Sequence, residues 1–233
     1  MNDRAQFNRR RFLRSEILAL LCLFCIWTYN TDTNVVNSIK AAIIEQAVKI
    51  VPNEKMFSYL GQFHQDSDQL IQAAGAYQRL AYTEPNSIEA FIGLSNCYRG
   101  LGKYAEAVGV LKRLLKLHPD YAFGYISLAC NYEDLNCTSE TIEAYKKAIE
   151  LEPKMARLYV RLGKTYVLAK NIDSAIDAYL QAVQINSKLA DAHYELIKAY
   201  MLAHKPDLAG KHYRYLTHIN ENLALEIKNR YEF

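Results

Sequence analysis

Three prolines, Pro85, Pro119 and Pro153, stand 34 residues apart, and the same apolar pattern leads up to each of them. Counting back from each proline and continuing the step twice more sets five windows, beginning at Glu54, Ile88, Ala122, Ala156 and Ala190. Their seventh residues are Leu60, Leu94, Leu128, Leu162 and Leu196, and their twentieth are Ala73, Ala107, Thr141, Ala175 and Ala209, all small. A fixed period with fixed core classes predicts an all-α solenoid of helix pairs, because a single pair cannot bury its apolar face alone. The usual work of such an array is holding other molecules.

The remaining recurrent positions have physical reasons. The fourth carries Phe57, Phe91, Tyr125, Tyr159 and His193, and the eleventh His64, Tyr98, Tyr132, Tyr166 and Tyr200. Positions four, seven, eight and eleven follow the i, i+3, i+4, i+7 spacing of one helix face, so they form a buried stripe. At the eighth, Gly61, Ser95, Ala129 and Gly163 leave room for a partner helix to approach. That second helix answers with Tyr77, Leu111, Tyr145, Tyr179 and Tyr213 at position twenty-four, and with Leu80, Leu114, Ala148, Ala182 and Leu216 at twenty-seven. Each proline then stops its second helix, since it has no N–H to donate.

These residues resemble the tetratricopeptide repeat over 54–221, in segments 54–87, 88–121, 122–155, 156–189 and 190–221. The nearest fit runs from Ile88 to Pro119, with Leu101, Gly102, Lys103 and Tyr104 in the turn. The resemblance implies about five helix-turn-helix repeats, with an N-terminal helix pair and a C-terminal capping helix. Ser187 and Glu221 replace the proline, and Ile197 fills the small eighth position, marking a worn last repeat. A cap over 222–233, through Leu223, Leu225, Ile227 and Tyr231, is what a stacked array needs at its end. Residues 34–51 read as an amphipathic capping helix, with Val35, Val36, Ile39, Ile43, Ala47 and Ile50 to one side. No Gly-, Ser- or Pro-rich linker interrupts the chain, which predicts one continuous array.

The N-terminal leader differs in composition. Residues 1–16 carry Arg4, Arg9, Arg10, Arg11 and Arg14 against Asp3 and Glu16, a net charge of +3, equal to that of the whole chain. The repeats are therefore neutral, without the basic footprint of a nucleic-acid binder. The uncharged run 17–31 reads as a membrane anchor or signal core. Arginines ahead of it place the N-terminus in the cytoplasm and the repeats on the non-cytoplasmic side, in a single pass with the membrane as a partner. Its apolar heart, Ile17 to Tyr29, reaches only ~20 Å as a helix, short of a ~30 Å hydrocarbon core. Residues 9–14 also resemble a twin-arginine export signal. Two readings stay open: a membrane-anchored adaptor whose exported repeats gather proteins for envelope assembly, and a soluble exported carrier, chaperone-like, released by signal cleavage.

Nothing in the chain spells chemistry. Cys22 and Cys25 form a Cys-x-x-Cys outside any redox or zinc setting. Cys97 falls at a core position, and Cys130 and Cys137 lie too far apart on one helix and its turn to pair. The histidines lack ligand spacing; His64 and His193 stand in for core aromatics. No catalytic motif, phosphate loop or metal set is present, so neither an enzyme nor a cofactor is expected. What remains is the first-helix face that the core does not use, which in proteins this chain resembles lines a concave groove. There Ile92, Phe123, Ile126, Val160 and Tyr194 form an apolar strip, flanked by Arg99, Arg157, Lys164 and Lys198, with Arg161 beside them. A protein or peptide partner is expected in that groove. Asn96 alone matches the family's carboxylate clamp, so a clamp-type chaperone partner is not expected.

Overall fold

The computed structural model describes residues 33–50 and 54–231. The fold is an all-α solenoid of helix pairs, with no strand among the described residues. It opens with α1 (Thr33–Ile50), α2 (Glu54–Asp66), α3 (Leu70–Thr83), α4 (Ile88–Gly100) and α5 (Tyr104–Leu117). There follow α6 (Ala122–Asp134), α7 (Thr138–Leu151), α8 (Ala156–Leu168), α9 (Ile172–Ile185), α10 (Ala190–Leu202), α11 (Pro206–Ile219) and α12 (Glu221–Tyr231). The five first helices are each 13 residues long and the five second helices each 14, so the sequence period is also a structural one.

Both helix ends in a repeat are set by backbone geometry more than by proline. The second helices stop at Thr83, Leu117, Leu151, Ile185 and Ile219, two residues ahead of position thirty-two, whether that is Pro85, Ser187 or Glu221. At the turn inside each repeat, the fifteenth residue is left-handed: Asp68, Gly102, Asn136, Lys170 and His204, with φ between 56° and 71°. The next amide closes the turn on the carbonyl five residues back, as in Lys103 to Tyr98 at 2.8 Å and Asn171 to Tyr166 at 2.9 Å. This is the Schellman ending of a helix, and it prefers glycine because a left-handed Cβ is crowded. Gly102 is the one residue of the five that avoids that crowding.

The chain divides into two compact units at Cys97/Tyr98, inside α4 and away from any linker. In the first unit the Tyr77 ring lies against Gly61 and Gly93, where a Cβ on either would overlap it. Burial raises the Tyr77 hydroxyl's pKa to about 12. Buried His64 donates or accepts at both ring nitrogens, with Glu45 at 3.1 Å and Gln69 at 2.7 Å. The inward side of α1 runs through Ala41 and Ala47, 2% and 6% exposed, whereas Ile39 stands out at 37%. Close approach of α1 to α2 favours alanine there, which corrects the sequence expectation for Ile39.

In the second unit one apolar cluster joins the fourth and fifth repeats to the cap, through Ala175, Tyr179, Leu196, Ile197 and Ile227 among others. Of the four expected cap residues, Ile227 is fully buried, Leu223 and Tyr231 are half-buried, and Leu225 faces out at 55%. Cys97 is buried, and Cys130 and Cys137 are half-buried and unbridged.

The single-pass anchor does not stand. No helix among the described residues is long and apolar enough to cross a membrane. The 18 residues of α1 carry Lys40, Glu45 and Lys49, and the apolar heart of the leader is itself too short to span. The exported topology and the membrane as partner rested on that anchor, and no helix among the described residues supports them. The leader 1–16, the run 17–31 and the mate that would complete an N-terminal helix pair lie outside the described residues.

Candidate functional site

The side chains that face away from the core on the first helices are tied to one another across repeats. In the second unit Arg99 Nε meets Asp134 Oδ2 at 2.6 Å, joining the end of α4 to the end of α6. One repeat on, Arg161 Nη1 meets Glu133 Oε2 at 3.0 Å. Further along, Lys164 lies 3.1 Å and Lys198 2.9 Å from the two oxygens of Glu195, and the Tyr194 hydroxyl donates to Glu226 on α12. Opposite charges 28 to 35 residues apart thus meet because one repeat brings the chain back alongside itself.

The richest of these contacts centres on Tyr145. The whole side chain is buried, and its hydroxyl reaches side chains carried by the first helices α6 and α8. There it donates to Glu133 Oε1 at 2.9 Å and accepts from Arg161 Nη1 at 2.8 Å. The same guanidinium reaches Cys130 Sγ at 3.1 Å. Burial raises the Tyr145 pKa, and the Arg161 hydrogen bond only partly offsets it. The Arg161 pKa is raised chiefly by its bond to Tyr145. The guanidinium, carboxylate and phenol thus form one closed group of charge-assisted hydrogen bonds.

The sequence-derived residues divide as follows. Ile92, half-buried, and Asn96, exposed, belong to the first unit, and the other nine to the second. Phe123 is exposed at 54% and touches Tyr121, with ring centroids 6.2 Å apart. Ile126 and Tyr194 are half-buried. Val160 is a correction: at 6% exposure it lies in the core cluster with Ala156 and Tyr179, where an apolar side chain gains by leaving water. The basic flank is another. Arg99, Arg161, Lys164 and Lys198 are each held by an internal carboxylate, while Arg157 is exposed and makes no ion pair among the described residues. Lys198 also sits 5.0 Å over the Tyr194 ring.

Sequence reasoning missed the anions Asp134, Glu195 and Glu226 and the position-twenty-four hydroxyls that reach this face. Their signal was present as opposite charges about one repeat apart, which only a known register turns into contacts.

Among the described residues no group of three or more His, Cys, Asp or Glu could hold a metal ion. Family models for the tetratricopeptide repeat match residues 89–121, 124–155 and 156–189. Comparison with curated protein sequences returns no match. Solved structures agree in fold: a crystal structure of MamA protein is 24% identical, with a TM-score of 0.65 over 77% of this chain and 96% of that one. MamA from Desulfovibrio magneticus RS-1 is 19% identical, at a TM-score of 0.66 over 72% and 96%. YrrB, described as a TPR protein with an unusual peptide-binding site, is 17% identical, at a TM-score of 0.65 over 81% and 99%. Residues 89–121, 124–155 and 156–189 thus match the tetratricopeptide repeat in sequence, and the solved structures share the helix-pair fold.

Proposed function

We propose that this chain is a protein-binding scaffold that holds a segment of a client protein along the first-helix face of its second unit. The observation that carries the reading is Phe123, a phenylalanine 54% exposed on a face otherwise laced with internal ion pairs. A large aromatic left in water beside half-buried Ile126 is the kind of anchor that dominates a recognition surface. Arg157, one repeat along, is the cation still available to a partner. Of the two readings the sequence left open, the client carrier is the better supported, since the matched folds are repeat arrays over nearly their whole length. One of them is described as a peptide binder.

The groove residues proposed for contact are Phe123, Ile126, Arg157 and Tyr194, with Arg161, Lys164 and Lys198 behind them. Ile92 and Asn96 lie in the first unit and stay outside this site, while Arg99 sets its edge next to Asp134. The test is selection of peptides from a random displayed library on the whole chain, followed by affinity measurement on variants. Phe123→Ala should weaken the selected peptides by ~1–3 kcal/mol while helix content is kept. Selected peptides that bind parent and variant alike would overturn the assignment of this face.

A further inference from the structure

Tyr145 and Tyr179 occupy the same position in consecutive repeats, both with fully buried rings, yet only one of their hydroxyls is satisfied. Tyr145 donates to Glu133, the twelfth residue of its own repeat. In the first unit Tyr77 does the same with Gln65, also a twelfth residue, at 3.3 Å. The twelfth residue of the fourth repeat is Val167, which can accept nothing, and the Tyr179 hydroxyl is buried with no partner. A buried hydroxyl without an acceptor is uncommon, and it asks what group completes it.

The surroundings specify the sign of that group. Position nine, which at Cys130 lies 3.9 Å from the Tyr145 hydroxyl, is Lys164 in the fourth repeat and Lys198 in the fifth. Position six of the following repeat, where Arg161 reaches Tyr145, is Glu195 beside Tyr179. Two ammonium groups therefore share one carboxylate, leaving one positive charge over an unpartnered donor. Where the third repeat supplies its own carboxylate, the fourth supplies a valine.

We infer that this floor receives an acidic side chain of the bound client, an Asp or Glu held between Lys164 and Lys198 and accepting from the Tyr179 hydroxyl. The inference rests on the first-helix face being the binding face, and it names the chemistry of the client there. Lys164, whose side chain is 52% exposed, is the residue that leans aside to admit the carboxylate. The oxygens then fill the place that the Glu133 carboxylate fills one repeat earlier, with charge-assisted hydrogen bonds from both lysines. Phe123 and Ile126, on α6, would seat the client's apolar residues on the neighbouring repeat, so the segment is amphipathic and acidic.

The test uses the whole chain and two short leucine-containing peptides, acetylated and amidated, one with glutamates and the other with glutamines in their place. Fluorescence anisotropy should show the glutamate peptide binding at least tenfold tighter. Lys164→Gln with Lys198→Gln should bring that preference below twofold. Tyr179→Phe, which removes one oxygen and keeps the ring, should weaken the glutamate peptide severalfold. Val167→Glu installs the acceptor found one repeat earlier; it should raise the melting temperature of the free protein and abolish the preference for glutamate. Equal binding of the two peptides, or no binding of the glutamate peptide, overturns the inference. So does a Val167→Glu variant that keeps the preference. A glutamine peptide with a free C-terminus that binds as tightly as the blocked glutamate peptide also overturns it, since the site would then take a chain end. If glutamate and glutamine peptides bind alike while Phe123→Ala weakens both, the acidic site is lost and the binding face stands.

Discussion

The third and fifth repeats fill equivalent positions with different polar chemistry. In the third, the polar atom brought to the first-helix face is the Tyr145 hydroxyl, satisfied by the Arg161 guanidinium and the Glu133 carboxylate. In the fifth, the aromatic fourth position is His193, 3% exposed, with its Nδ1 3.0 Å from His212 Nδ1. His193 Nε2 lies 2.9 Å from the Ser187 carbonyl, so Nε2 carries the proton and Nδ1 accepts from His212. Tyr215 stacks on His193 at 4.6 Å and Tyr200 on His212 at 5.8 Å. One geometry is thus closed by an ion pair and the other by two imidazole rings. The flanking helices differ too: α9 buries five residues and α11 only Ala209 and Leu216. The middle of the array is held by packing, and its end by fewer and more conditional contacts.

Overpacking tests that contrast most severely. Ala175 and Ala209 share the twentieth position and are both fully buried. Ala175→Trp should destabilise the second unit by ~1–3 kcal/mol or more, because rigid neighbours on both sides must move. Ala209→Trp should lower the thermal midpoint by less than half as much, since α11 and α12 can loosen while the rest stays folded. Thermal unfolding followed by circular dichroism reads both, and equal losses would make the last repeat as integral as the fourth.

Acid gives the next largest effect. Burial, then the neighbouring His193 and Lys211, lower the His212 pKa to about 4, and burial lowers that of His193 as well. Above the ordinary histidine value near 6.5 both folded and unfolded chains hold neutral rings, and stability is unaffected. Between that value and about 4 the unfolded chain binds a proton that the folded pair refuses, so stability falls as pH falls. His212 keeps contact with solvent, which limits the loss to ~1–2 kcal/mol. Hydrogen exchange should show α10 and α11 losing protection at pH 4.5 while α6 and α7 keep theirs. His212→Phe should remove the difference; if it persists, the imidazole pair is not its source.

The fold was legible because five leucines and five small residues recur in register, a signal that survives the loss of proline at Ser187 and Glu221. Helix ends were legible in place but not in cause, since the left-handed turns show a glycine only at Gly102. The candidate face was legible in part. Phe123 and Arg157 are exposed, whereas Val160 is buried with Ala156 and Tyr179, which its position-five place in the pattern does not signal. The cations were read without their anions. A pairing such as Lys164 with Glu195 depends on where the next repeat sets its sixth residue, and that offset comes from packing.

The smallest effect isolates the turns that all repeats share. Lys170 and His204 adopt φ of 60° and 56°, a conformation that crowds any Cβ. Their amides still bond back to Val167 and Met201, so the turn geometry is already satisfied and only the side chain is strained. Replacing Lys170 by glycine relieves that strain of ~1 kcal/mol, while glycine's freedom in the unfolded chain returns part of it. Lys170→Gly should therefore stabilise by ~0.5 kcal/mol, and Gly102→Ala, the reverse change, should destabilise by ~1 kcal/mol. His204→Gly should match Lys170→Gly when measured by hydrogen exchange within its own helix pair. It should register less in the global midpoint, because the last repeat opens first and carries little of the cooperative unit. Equal gains in the global midpoint at both sites would show that the end of the array unfolds together with its middle.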